Sequence, residues 1–266
     1  MSAKDQDSAV RPGAVRVEVT APVASVAFSG RGPGNIVSRS LMEDLVRELE
    51  ALDQDAAVRC IVLAGSPTSF CSGVEVSELE QTAVLDPGRE SYLECWDRVG
   101  KVAKPVVAAV SGPAIGAGFE LALACDLIVA GESASFGFDQ LDLGVIPGAG
   151  GTQRLARSVG RHRALDLLLT GRRLNGSEAM EFGLVARVWP DEVLVKHARL
   201  LARVIAEKAP LAVKAAKESV LEAEELDFEA GLVYERKLLG SLFSTADQKE
   251  GMKAFRDGRK PSFEGK

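Results

Sequence analysis

The sequence predicts an α/β protein, with repeated β-β-α or β-α units over residues 14–190 and a helical region over 191–266. Three observations predict it. Short apolar runs at residues 60–64 and 106–110 alternate with helical patterns that begin at Ser38 and near Ala117. Glycine-rich turns punctuate the passage from strand to helix. Beyond about Pro190 the pattern becomes continuous helix, in segments near 191–208, 210–224, 227–242 and 244–257.

Residues 1–13 are small and polar and are expected to be disordered. VRVEVT and PVASVAF then predict two strands joined by a turn at Ala21 and Pro22, and the chain bends through SGRGPGN. From Ser38 a helix is marked by Leu41, Leu45, Val46, Leu49 and Leu52 on one face, with Glu43 and Asp44 expected to suit its first turn. The strand at 60–64 follows. The same rhythm recurs as the strand at 106–110, the helix from Ala117 and a strand from Leu127 to Val129. In the helical region Leu194, Ala198, Leu201 and Ile205 form an apolar stripe. An appendage of roughly sixty residues has too little interior of its own, so its stripes are expected to pack on the main body or on another subunit.

With 46% hydrophobic residues in a chain of 266, a sizeable core can be buried. The formal charge of −6, without basic clusters, argues against nucleic-acid and membrane partners. No apolar run approaches membrane-spanning length, and MSAKDQDSAVRPG has no secretory apolar stretch, so a cytoplasmic location is expected. Cys60, Cys71, Cys95 and Cys125 form neither CxxC pairs nor zinc spacing, and are expected as buried reduced thiols with no metal site. GAGFEL and IPGAGGTQRL lack both GxGxxG and the P-loop ending, so Gly148, Gly150 and Gly151 are expected to shape a turn and a helix start. His162 and His197 lie near no nucleophile motif.

Residues 104–125, KPVVAAVSGPAIGAGFELALAC, carry the chemistry. An apolar strand runs into a glycine turn, and the helix that follows opens with Glu120. Unpaired N–H groups at such a helix start can stabilise charge developing on a carbonyl oxygen. A first-turn glutamate is ordinarily solvated and favoured by the helix dipole. Here the flanking residues are nearly all apolar, and a buried carboxylate is costly unless it is used.

SFCSGVEVSEL at 69–79, SGPAIGAGFELALACDLIVAG at 111–131, FGFDQLDLGVIPGAGGTQRL at 136–155 and QKEGMKAFRDGRKPSF at 248–263 resemble the crotonase superfamily, the enoyl-CoA hydratase and isomerase family, in order and spacing. The resemblance implies a spiral of β-β-α turns capped by C-terminal helices, assembly as a homotrimer or dimer of trimers, and an acyl-CoA thioester substrate. Coenzyme A belongs to that substrate, and no separate cofactor is implied. Matched to the family's motifs, the oxyanion-hole donors are the backbone N–H groups of Val74, after Gly73, and Ala117, after Gly116. Small residues there let a thioester approach the main chain.

Hydratases of this family use two glutamates. Glu120 matches the first, but FGFDQLDLG places Gln140 where the second is expected, with Asp139 and Asp142 as possible substitute acids. Glutamine holds water by hydrogen bonds but exchanges no proton near neutral pH. Three readings follow: an enoyl-CoA hydratase led by Glu120, a divergent lyase, dehydratase or decarboxylase using Glu120 alone, or a non-catalytic acyl-CoA-binding partner. Simple double-bond isomerisation is disfavoured, because family isomerases generally keep the second acid. The resemblance also implies that Phe255 meets the adenine end of coenzyme A, that Arg259 and Lys260 meet phosphate although Gly258 replaces a basic residue, and that the turn containing Asn35 lines the pantetheine path. Acyl-chain walls are expected within residues 77–98.

Overall fold

The structure, a computed structural model, describes residues 10–81 and 93–266. Most of the expected disordered N-terminus and part of the expected acyl wall, residues 82–92, lie outside the described residues. The hairpin of β1 (Ala14–Thr20) and β2 (Val23–Ser29) opens the chain. Next come α1 (Arg39–Gln54), β3 (Cys60–Ala64), α2 (Val76–Gln81), α3 (Glu94–Gly100), β4 (Val106–Val110), β5 (Pro113–Ile115), α4 (Ala117–Leu123) and β6 (Leu127–Gly131). After them run β7 (Ser135–Gly137), a 3-10 turn (Gln140–Leu143), α5 (Gly151–Val159), α6 (Arg161–Thr170), β8 (Leu174–Asn175), α7 (Gly176–Glu181) and β9 (Arg187–Trp189). Four helices end the chain: α8 (Asp191–Ala206), α9 (Pro210–Glu222), α10 (Phe228–Leu242) and α11 (Ala246–Arg256).

Six strands form the main sheet in the order β1-β2-β3-β4-β6-β9, antiparallel only at the first pair. Each parallel strand is added at the growing edge, and β5, β7 and β8 form a second small sheet. All five residues of β4 are buried, as a parallel strand covered on both faces requires. On one face, Val26, Leu63, Ala108 and Ala130 pack against Leu45, Leu49 and Phe119. On the other, Val62, Val107 and Val129 pack against Leu194, Ala198, Ala202 and Ala206 of α8.

That second face shifts two expectations. The buried stripe of α8 runs at fourfold spacing through three alanines, with Leu201 and Ile205 on its flank, because a helix lying flat on a sheet packs closest through small side chains. Helix α8 is therefore part of the packed core, although it begins at the boundary drawn at residue 191. Helices α9 and α10 bury no residue completely. Glu43 and Asp44 are also displaced from the expected first turn of α1. The Ser38 hydroxyl caps that helix by accepting from the Leu41 amide at 3.3 Å, which starts the helix at Arg39. The two acids then pair with Arg39 and Arg47 at 2.8 and 2.6 Å.

The four cysteines are free thiols; Cys60, Cys71 and Cys95 are buried and Cys125 is half-buried. Burial pushes the Cys60 and Cys71 thiols up to about 12. Among the described residues no helix is long and apolar enough to cross a membrane, and no cluster of His, Cys, Asp or Glu is placed to hold a metal ion.

Candidate active site

The small sheet sets the start of α4. Cys71 donates to the Pro113 carbonyl at 3.0 Å and accepts from the Ile115 amide at 2.9 Å, so residues 71–74 lie alongside the strand that feeds the helix. Gly116 then turns at φ 56° and ψ −125°, a conformation that disfavours any side chain. Two residues on, Gly118 packs so tightly that a Cβ would stand 1.9 Å from the Cys71 carbonyl oxygen. The Trp96 indole fixes the same turn from outside, donating to the Ala117 carbonyl at 3.0 Å.

Peptide geometry aims the two expected donors. The Gly73 carbonyl accepts from the Val37 amide at 3.0 Å, so the trans peptide points the Val74 N–H away from Val37. The Gly116 carbonyl accepts from the Glu120 amide at 3.0 Å, so the Ala117 N–H points out of the helix start. Among the described residues neither amide donates to a protein acceptor.

Glu120 is 2% exposed and follows Phe119, whose ring centroid lies 5.3 and 5.0 Å from those of Phe136 and Phe138. Its Oε1 accepts from the Ala149 and Gly151 amides, both at 2.8 Å. Burial holds the Glu120 carboxyl above its ordinary value, against the lowering effect of those two amides and of the Arg154 guanidinium. Arg154 in turn donates to the Ala149 carbonyl at 2.9 Å, bracing the loop. Those loop groups hold the Glu120 carboxylate, contacts that the sequence reading missed. The signal was present in PGAGG, since glycines ahead of a helix can leave successive N–H groups turned toward one anion.

Gln140 comes to the other carboxylate oxygen, with Nε2 3.3 Å from Glu120 Oε2. A carboxylate only accepts, which sets the orientation of the amide. The Gln140 Oε1 is left buried without a partner. Asp139 and Asp142 are both exposed; Asp139 Oδ1 lies 2.8 Å from the place a Gly116 Cβ would take, and Asp142 lies further along the 3-10 turn.

The enoyl-CoA hydratase/isomerase family matches residues 18–266, nearly the whole chain. The chain belongs to that family, within the crotonase superfamily. It is 43% identical to a probable enoyl-CoA hydratase of Rhizobium meliloti over 93% of this chain and 96% of that one. With the 2,3-dehydroadipyl-CoA hydratase of Escherichia coli it shares 39% identity over 87% of this chain and 91% of that one. An enoyl-CoA hydratase of Bacillus anthracis superposes with a TM-score of 0.88 at 36% identity, covering 95% of this chain and 99% of that one.

The remaining candidates of this hydratase/isomerase-family chain separate from the cluster. Asn35 is buried at φ 53°, and its side chain is spent on the backbone: it donates to the Phe70 carbonyl at 2.6 Å and accepts from the Gly30 amide. It anchors the loop beside residues 69–72 instead of presenting its side chain to a ligand. Phe255 is 88% exposed at the end of α11. Arg259 forks onto Glu250 at 2.7 and 2.8 Å, and Lys260 pairs with Glu207 at 3.1 Å, so each basic group has an acidic partner within the chain.

Proposed function

We propose that the protein catalyses reversible addition of water to a 2-enoyl-CoA thioester. The buried Glu120, held on Oε1 by two amides at 2.8 Å and met on Oε2 only by the longer bond from Gln140 at 3.3 Å, is the observation that carries this reading. In the proposed complex the thioester oxygen takes the Val74 and Ala117 amides, which stabilise the enolate as charge moves onto oxygen. Glu120 exchanges the proton of the oxygen added at C3, and burial, which raises its affinity for a proton above that of an ordinary carboxylate, suits a group that must both give and take one. Gln140 holds that oxygen by hydrogen bonds. Coenzyme A binds as part of the substrate, with its adenine end against Phe255. The exposure of that ring supports assembly with a second subunit, as a trimer or dimer of trimers.

One observation favours a second reading, a divergent lyase, dehydratase or decarboxylase. Gln140 contacts Glu120 directly, where a hydratase of the two-glutamate type would seat a water between acids. A panel of acyl-CoA thioesters, followed by mass change, tests both. Wild-type protein is expected to hydrate crotonyl-CoA or a longer enoyl-CoA. Glu120→Ala is expected to lose at least about 10²-fold in rate with its fold intact. Loss of carbon dioxide without hydration would favour the second reading, and saturable binding without any mass change would leave a non-catalytic binder.

A further inference from the structure

We propose that Asp139, and not the glutamine in the family's second acid position, exchanges the proton at C2 of the bound acyl-CoA. This rests on the acyl-CoA reading above and assigns the proton transfer that Gln140 cannot perform. Three observations support it. First, Asp139 Oδ1 and Gln140 Nε2 both lean over the bare Cα of Gly116, at 2.8 and 3.3 Å from where its Cβ would be, one bond from the peptide that bears the Ala117 amide. Second, Asp139 is exposed, and among the described residues no hydrogen bond or ion pair occupies its carboxylate, so a ligand can reach it, whereas the Glu120 carboxylate is already held by two amides. Third, Gln140 is turned so that its Nε2 serves Glu120, and its buried Oε1 is left as an acceptor in need of a hydroxyl donor.

These positions divide the work along the substrate. C2 is bonded to the thioester carbonyl carbon and C3 lies one carbon further. In the proposed complex the thioester oxygen sits on the Ala117 amide, Asp139, the nearer of the two groups beside Gly116, serves C2, and Gln140, bonded to Glu120, serves with it the oxygen on C3. In the dehydration direction, the Asp139 carboxylate takes the C2 proton: an O–H bond forms, the C2–H bond breaks, and its electron pair enters the thioester as an enolate. The enolate then collapses to the C2=C3 double bond as the C3–O bond breaks. Protonated Glu120 passes its proton to the departing hydroxyl, which leaves as water, and the Gln140 Oε1 accepts the hydrogen already on that hydroxyl. Asp139 ends protonated and Glu120 ionised, and solvent resets both. Hydration is the reverse.

Saturated acyl-CoA thioesters isolate this step, because they have a C2 proton and no hydroxyl. The experiment follows deuterium incorporation at C2 of butanoyl-CoA and longer saturated chains in D2O by mass spectrometry, with thioester binding measured by calorimetry. Wild-type protein is expected to exchange. Asp139→Asn is expected to lose about 10²-fold or more in exchange while its Kd changes less than about threefold, far below the tenfold that 1.4 kcal/mol would produce. Asp139→Glu is expected to restore part of the rate, and Asp142→Asn to exchange as wild type. Exchange unchanged in Asp139→Asn, lost in Asp142→Asn, or absent from wild type with every chain overturns the assignment. Asp139-dependent exchange without hydration of any enoyl-CoA would retain the assignment and discard the hydratase reading. Equal hydration by wild type and Asp139→Asn would do the reverse.

Discussion

Glu120 carries a desolvation cost that the rest of the site offsets only in part. A carboxylate at 2% exposure loses most of its hydration, and the amides of Ala149 and Gly151 replace only part of it. Its proton is therefore bound more tightly in the folded protein than in the unfolded chain, where the group returns to the ordinary carboxylate range. The sign follows from linkage. Stability is greatest below the unfolded value and falls as pH rises through the folded value, because the native state must then hold a buried charge. Glu120→Gln removes that charge while its Oε1 can still accept from both amides. Once the Gln140 amide flips, the new Nε2 can donate to the Gln140 Oε1, which keeps one bond between the two side chains while the buried charge is gone. The variant is expected to be inactive yet more stable at neutral pH by about 1 kcal/mol, the low end of the penalty for a buried polar group whose hydration is only partly replaced, seen as a rise in Tm of about 2–4 °C. Thermal melts across pH provide the check, and the gain should shrink as pH falls through the raised folded value and vanish below the ordinary carboxylate range. A lower Tm at neutral pH would mean that the ionised carboxylate is a net stabiliser.

The α4 helix and the segment at residues 71–74 act as one unit because their backbones touch. Gly118→Ala would put a methyl 1.9 Å from the Cys71 oxygen, which also accepts from Ile115 and so cannot retreat. Overpacking against fixed backbone is expected to cost about 3 kcal/mol or more, read as a lower denaturant midpoint, whereas a midpoint within experimental error of wild type would show that the two segments can part. Much of this element was legible in the sequence. The runs at 60–64 and 106–110 became β3 and β4 at those bounds, and Ala117 opens α4. An uninterrupted apolar run bounded by turn residues identifies a doubly covered strand, and a glycine ahead of a helix marks a turn that other residues disfavour. The small sheet was not legible. Its strands are two or three residues long, too short for periodicity, and its pairing of Cys71 with Ala114 joins residues 43 positions apart. The bond from Trp96 to the Ala117 carbonyl was hidden for the same reason, since it exists only once α3 and α4 are packed.

At the scale of the whole molecule, the C-terminal helices are tied to the sheet by few but specific contacts. Lys217 of α9 reaches Asp126 at 2.7 Å and also donates to the Val102 and Lys104 carbonyls, fastening the helix to the start of β4 and the approach to β6. Asp247 of α11 accepts from the Glu264 and Gly265 amides at 2.7 and 2.8 Å and holds the chain's last residues against the helix. What these clamps leave uncovered is apolar. Val220, Phe228, Val233, Leu239, Phe243 and Phe255 are all more than half exposed, so the helical region presents large side chains to water along three successive helices. Isolated exposed apolar residues are ordinary in a monomer, but such a number on elements that bury little of their own surface supports the proposed assembly with further copies of the chain. The sequence carried the stripes, but could not divide those covering the sheet, as in α8, from those left exposed, because both have the same period. Sedimentation equilibrium at micromolar concentration is expected to give a mass of three or six chains. Phe228→Asp, at 77% exposure, is expected to shift that mass downward with little change in the far-UV circular dichroism. A monomer at every concentration would mean that these helices are covered by something other than copies of the chain, and would remove the neighbouring subunit from the proposed coenzyme A site at Phe255.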